Sequence, residues 1–445
     1  MSNNTFSQFT NDCQTTYGEA AKVPYGIFEM KGAPTTSILF CFRDGVAYEG
    51  EEQWGLSHFV EHIVFRGSQN YRSLFELSKA IESVGGRISA YSTRDLTAFW
   101  TKLPLGQEKR GLSVLTELLT KPLLAPEHVK AEQAIIHQER QRELANPALN
   151  ASLLLESILL LPSPLARHPV GLSETIAAIT PATIAHYVEE HYTRANMSVV
   201  VAGNPTEGIE KELRFQLGKF DEGSKRSFAD FSLTSSVEAS VVHLPTPHKK
   251  QVFVSIGWVF PVIGEDMWTL KVVNTLLGAG YTSLFNLRLR EEENLTYLCT
   301  TKANIYGDQG IFKINFALDE KNLQRALFAI SETLSEVKEG QCDSELIEAA
   351  KLRHCGAVMF AMEDSLAAAK YAGHGLLRRG EHFQLEKYFA SIEKVTPEQV
   401  SQFAKTSLAC DKRKMVFLTG SSIVDELFPT AQALTRNEDS TIALF

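Results

Sequence analysis

Two segments half a chain apart carry the same punctuation. "AITPATIAHYVEEHYTRANMSVVVAGN" starts at Ala178 and "KVTPEQVSQFAKTSLACDKRKMVFLTGS" starts at Lys394. In each, Thr-Pro opens an amphipathic stretch with helix-start chemistry, and that stretch runs into an apolar segment ending at Gly203 or Gly420. The offset is 216 residues from Pro181 to Pro397 and 217 between the glycines, close to half of the 445 residues. A second echo pairs "TTSILFCFRDG" from Thr35 with "KQVFVSIGWVF" from Lys250, and each leads into a helical pattern reaching Ser-Leu-Phe, at Ser73–Phe75 and Ser283–Phe285. A period this long means a duplicated α/β unit with two cores.

The polar, Gly- and Ser-bearing stretch Leu217–Ser236 reads as the linker, which divides the chain into units 1–225 and 226–445. Strand patterns at Val252–Phe260 and Gly310–Leu318 mix irregularly with helical patterns at Ser73–Val84, Glu108–Leu119 and Leu323–Val337. Irregular order argues against a doubly wound fold. It predicts an α+β class with two homologous α/β units, each a mostly antiparallel sheet with helices packed on one face.

Composition removes several function classes. A net charge of -9 provides no basic footprint for nucleic acid or an anionic membrane, and the clusters His248–Lys250 and Lys412–Lys414 are short enough to be solvated surface. No apolar run approaches the roughly 20 residues that span a bilayer. The segment Met1–Thr16 lacks the basic and apolar regions of a secretory signal, so the expected location is the cytosol unless a leader preceded it. Six cysteines without CxxC spacing fit reduced thiols. The run Leu277–Gly280 has no following Lys-Ser/Thr and is no phosphate loop.

Chemistry concentrates in "GLSHFVEHIVFRGS", Gly55–Ser68. On a helix, His58 and His62 share a face, so both imidazoles can reach one ion with Glu61 beside them; H-x-x-E-H is the inverted zincin order. A catalytic zinc needs a third protein ligand. The helical segment from Pro126 to Asn146-Pro147 offers Glu132 and Glu139, seven apart and on one face, with His128, His137 and Glu143 as competitors. A carboxylate on a core-facing stripe calls for a compensating cation.

HxxEH, Glu139 at 77 residues past His62 and Glu132 seven before it, together with "IESVGGRISAYSTRDLTAFW", "HPVGLSETIAAITPATIAHYVEEHY" and "LREEENLTY", resemble the pitrilysin family of zinc peptidases, which includes insulin-degrading enzyme and the mitochondrial processing peptidase. The resemblance covers nearly the whole chain. It implies that His58, His62 and Glu139 bind one zinc ion per chain, that Glu61 is the general base, and that Glu132 orients a ligand from behind. It also implies that the edge strand Gly85–Ser92, with Ser89 and Ala90, pairs with an extended peptide substrate. Arg290 and Tyr297 match the family's arginine-tyrosine pair, which reaches the active site from the facing half of a chamber. Without that resemblance they would read as an ordinary ion pair among Glu291, Glu292 and Glu293 and a half-buried tyrosine. The second unit has Trp268, Lys271 and Val272 in the motif register and holds no zinc of its own. Two departures, Ser89 for the usual asparagine and Leu284 for the usual arginine, bear on substrate preference and leave the metal chemistry intact.

The resemblance thus implies a zinc metalloendopeptidase acting on oligopeptides or unfolded chains inside a chamber. Full-size relatives carry four such units, so a two-unit chain implies a homodimer or a heterodimer with a related subunit. Two other readings accompany it: a non-catalytic subunit of a processing-peptidase-like complex, since the family resembles core proteins of a respiratory complex, and a protease dedicated to one precursor peptide. Retention of both HxxEH and the Arg-Tyr pair argues against the first.

Overall fold

A computed structural model describes residues 13–227, 241–428 and 432–433. The linker segment from Phe228 to Ser236 lies outside the described residues. The chain forms two compact units. The first holds the described residues within Met1–Glu139, Arg167–Ala229 and Val358–Phe389; the second holds those within Arg140–Ala166, Asp230–Ala357 and Ala390–Phe445.

The sheet of the first unit contains β1 (Cys13–Ala20), β2 (Val23–Met30), β3 (Thr35–Phe42), β4 (Arg87–Ser92), β5 (Thr97–Pro104) and β6 (Met197–Gly203), in the order β1-β2-β6-β3-β5-β4. Only the β2–β6 pair is parallel. The sheet of the second unit contains β7 (Val241–Pro245), β8 (Gln251–Pro261), β9 (Thr296–Tyr306), β10 (Gln309–Asp319), β11 (Lys414–Thr419) and β12 (Gln432–Ala433), ordered β12-β7-β11-β8-β10-β9. Here β11 and β12 each run parallel to β7, and the other pairs are antiparallel. The two echoed segments occupy equivalent places, with β6 and β11 each third in order and β3 and β8 each fourth. Their preceding helices start alike: Thr180 accepts a hydrogen bond from the Thr183 amide and Thr396 from the Gln399 amide. This is the expected α+β fold with two α/β units.

One expectation needs correction, because helices cover both faces of each sheet. Seven of the eight residues of β3 are buried and none is exposed, and a strand apolar on both sides must be covered on both. Ile38, Phe40 and Phe42 join the core beneath the helices Leu56–Ile63, Leu74–Glu82 and Glu108–Thr120. Leu39 and Cys41 face the other way, where helix Ser365–Arg379 lies so close that a Cβ on Gly373 would stand 3.0 Å from Leu39 and 3.2 Å from the Cys41 thiol.

The second sheet is completed in the mirror sense, by a helix from the first half of the sequence. Pro147–Leu160 packs Leu155 and Leu159 against Gly257 of β8. A buried ion pair pins it there, with Lys313 Nζ 3.1 Å from Glu156 and 2.8 Å from the Ser152 hydroxyl. On the first sheet, the start of Ser365–Arg379 is held by a 2.8 Å hydroxyl pair between Ser37 and Ser365 and by the Lys102–Asp364 ion pair at 2.5 Å. Each half of the sequence therefore lends a helix to the sheet of the other.

Among the described residues no helix is long and apolar enough to cross a membrane, and Cys41, Cys299, Cys342, Cys355 and Cys410 are free thiols.

Candidate metal centre

The motif lies on helix Leu56–Ile63, as its spacing requires. That helix begins at Gly55 in a left-handed conformation, φ 94°, which a side chain would strain. A Cβ there would also stand 2.7 Å from the Gly171 Cα, so two backbones meet where the helix starts. The carboxylate of Glu49 closes the start. It accepts the Gly55 amide at 2.8 Å, the Ser57 amide at 2.7 Å and the Ser57 hydroxyl at 2.5 Å, saturating donors that a helix N-terminus leaves unpaired. Burial pushes the Glu49 pKa up to about 7, partly offset by those hydrogen bonds.

Helix Pro126–Ala145 brings the carboxylates. Glu139 Oε2 lies 3.3 Å from His58 Nε2 and 3.5 Å from His62 Nε2, and one donor atom from each of the three residues falls within 4.8 Å of the others. Donors bonded at 2.0–2.1 Å around a tetrahedral zinc stand about 3.3 Å apart. The two imidazoles and the carboxylate therefore fit that ion by chemistry and by spacing. Among the described residues this is the one group of three or more such side chains close enough to hold a metal ion; His128, His137 and Glu143 are not part of it.

Surrounding charges favour a cation at this point. Burial disfavours a charged His58 ring, yet its hydrogen bonds to the Glu139 and Glu61 carboxylates outweigh it and raise the pKa to about 9. Behind His62, Glu132 Oε2 stands 3.2 Å from Nδ1, leaving Nε2 turned toward Glu139, and Arg66 pairs with the other oxygen of Glu132. Burial alone would raise the Glu132 pKa; its hydrogen bonds to His62 and Arg66 prevail and hold it below the usual range. Glu61 lies 3.5 Å from His58 Nδ1 and accepts the Ser92 hydroxyl at 2.6 Å.

Ser92 ends β4, the edge strand that carries Ser89 and Ala90 opposite Trp100 and Phe99 of β5. The open edge and Glu61 are thus joined by one hydrogen bond. Sequence patterns do not reveal the roles of Glu49 and Ser92: Glu49 sits in the acidic run "YEGEEQW", and Ser92 meets Glu61 only once β4 has paired with β5.

Arg290 and Tyr297 belong to the second unit. Arg290 projects from a π-helical turn, Leu287–Glu292, and its Cζ lies 5.0 Å from the ring centre of Tyr297. Its Nε is 3.3 Å from Glu291. Tyr297 is 79% exposed, more open than a half-buried tyrosine. Both border a cavity of about 640 Å³ that Lys250, Thr296 and Asn322 also line.

Residues 27–168 match the model of the Insulinase family (Peptidase family M16), and residues 178–353 match that of the Peptidase M16 inactive domain. An uncharacterized zinc protease of Bacillus subtilis is 24% identical over 367 residues, covering 81% of this chain and 87% of its own. Cytochrome b-c1 complex subunit 1 of Bos taurus mitochondria is also 24% identical, over 84% of this chain and 80% of its own. Among solved structures, a peptidase M16 inactive domain from Pseudomonas fluorescens superposes with a TM-score of 0.84 at 17% identity, covering 94% of this chain and 99% of that one. Two consecutive M16 models along one sequence, with a two-histidine, one-glutamate cluster inside the first, lead to one assignment: the chain belongs to peptidase family M16.

Proposed function

We propose that the protein is a zinc-dependent endopeptidase that hydrolyses oligopeptides or unfolded polypeptides, with His58, His62 and Glu139 as zinc ligands. The observation that carries this reading is the convergence of these three side chains within 4.8 Å, with Glu61 beside them. Zinc bound there would supply Lewis acidity, making water a stronger acid and a carbonyl a better electrophile. Glu61 takes the proton of the attacking water and delivers it to the leaving amine, and the Ser92 hydroxyl holds its carboxylate in place. Glu132 fixes the ring orientation of His62.

An extended substrate adds to the open edge of β4 along Ser89 and Ala90, where backbone pairing tolerates varied sequences. In this reading residues 1–225 provide the metal chemistry, and residues 226–445 supply Arg290 and Tyr297 as hydrogen-bond donors to a carbonyl becoming an oxyanion. A second copy of the chain, or a related subunit, supplies the facing half of the chamber. Cytochrome b-c1 complex subunit 1, a relative named as one subunit of a complex, accords with a chain that works beside a partner.

Metal analysis and kinetics test the reading together. Stoichiometric zinc, loss of hydrolysis on chelation with recovery on zinc addition, and an inactive Glu61→Gln variant that keeps its zinc are expected. Undiminished hydrolysis by the metal-free protein would refute it. Similarity to cytochrome b-c1 complex subunit 1 favours a second reading, a non-catalytic subunit, for which stoichiometric zinc is not expected.

A further inference from the structure

The guanidinium of Arg290 has a second aromatic neighbour. Its Cζ lies 5.0 Å from the ring centre of Tyr281, the same distance as from Tyr297. Attraction to the negative faces of two rings gives the cation a preferred position, and loss of one ring widens its range. Both rings are open to solvent, Tyr281 at 67% and Tyr297 at 79%, so burial does not explain why either lies here.

Four further features bear on the arrangement. The π-helical turn Leu287–Glu292 determines the direction in which Arg290 leaves the backbone, since one residue more or less rotates a helical side chain by about 100°. The buried amide of Asn286 ties the walls together. Its Nδ2 donates to the Gly280 carbonyl at 3.2 Å and to the Cys299 carbonyl at 2.9 Å, and its Oδ1 accepts the Cys299 amide at 3.1 Å. Gly280 precedes Tyr281, and Cys299 lies two residues beyond Tyr297. Arg353 also donates to the Thr282 hydroxyl at 2.5 Å, holding the same loop. Finally, the Arg290 Nη1 is buried with no acceptor among the described residues, a cost that an incoming acceptor oxygen would offset.

We propose that Tyr281 is a positioning residue which, with Tyr297, clamps the Arg290 guanidinium so that it is aligned for a peptide oxygen before substrate arrives. This rests on the reading of Arg290 as a substrate-contacting donor. Tyr281 acts through its ring face, and its hydroxyl is dispensable.

The test is a double-mutant cycle on the zinc-loaded full chain with an internally quenched oligopeptide as substrate. Tyr281→Leu should lower kcat/KM about three- to tenfold, the range expected for one lost cation–π contact. Tyr281→Phe should stay within about twofold of wild type, and Tyr281→Leu should cost nothing further in an Arg290→Ala background. Thermal unfolding of the Tyr281 variants should match wild type, since the side chain is exposed. Equal losses in Phe and Leu variants, or a Leu loss undiminished without Arg290, would overturn the clamp. So would an Arg290→Ala loss with no Tyr281→Leu loss, and either result would leave Arg290 its role. Full activity of Arg290→Ala would overturn both the clamp and that role.

Discussion

The Ser92 hydroxyl donates to Glu61 Oε2 at 2.6 Å, joining the last residue of an open strand edge to the carboxylate beside His58 of the candidate metal centre. A hydrogen bond to a charged group contributes about 1.5–3 kcal/mol. Ser92→Ala should therefore lower kcat by roughly tenfold or more while zinc content and thermal stability change little. Steady-state kinetics beside metal analysis would check this. Equal loss of zinc and activity would instead mean that Ser92 supports the metal site.

Glu132 has the opposite signature. It holds His62 and Arg66, and the proposed mechanism gives it no proton to carry. Replacement of such an outer partner costs roughly 10–100-fold in metal affinity. Glu132→Gln should weaken zinc binding in competition with a chelator dye, and saturating zinc should restore most of the turnover.

Glu49 predicts a pH effect on stability. Its folded pKa of about 7 lies above the unfolded value of about 4.3. Between these values the folded chain holds more protons. The stability that this group contributes is full below about pH 4.3, falls as pH rises to about 7, and is constant above it. Glu49→Gln removes the dependence. The melting-temperature difference, variant minus wild type, should rise across that window and then level off; a difference flat with pH would mean that Glu49 is ionised throughout.

If zinc and the Arg290–Tyr297 pair act together across a dimer, two defective chains should repair each other. Glu61→Gln protomers keep the pair, and Arg290→Ala/Tyr297→Ala protomers keep the zinc site. With random exchange at equal concentration, half the dimers are mixed and each has one complete site of two, so activity should return to about a quarter of wild type. Proven mixing without recovery would place the pair's action within its own chain, or nowhere.

Much of the centre was readable because its parts are local. His58, Glu61 and His62 lie within five residues of one helix, and Glu132 and Glu139 repeat at a helical interval. Choosing Glu139 over its neighbours took the family resemblance, since periodicity alone left Glu132, His128, His137 and Glu143 in contention. Ser92 and Glu49 depend on strand pairing and on the turn at Gly55, and nothing local separates Glu49 from Glu51 or Glu52. The second-face helices had left a trace. The unbroken runs "SILFCF" in β3 and "MSVVVAG" in β6 lack the alternation of a sheet with one wet face, and that absence called for cover on both sides. Which helix supplies it depends on contacts more than 300 residues apart, such as Ser37 with Ser365.

The reciprocal loan of helices Pro147–Leu160 and Ser365–Arg379 is the connectivity that end-to-end fusion of a swapped dimer would leave. Two identical ancestral chains, each inserting a segment into its neighbour, form a domain-swapped dimer. Fusing their genes end to end yields this connectivity without moving any element. Residues 1–225 alone would leave one apolar face of the first sheet uncovered and helix Pro147–Leu160 without the sheet it covers. The two halves can therefore differ as much as His58 and His62 differ from Trp268 and Val272 at the same register while the exchanged helices keep both cores closed.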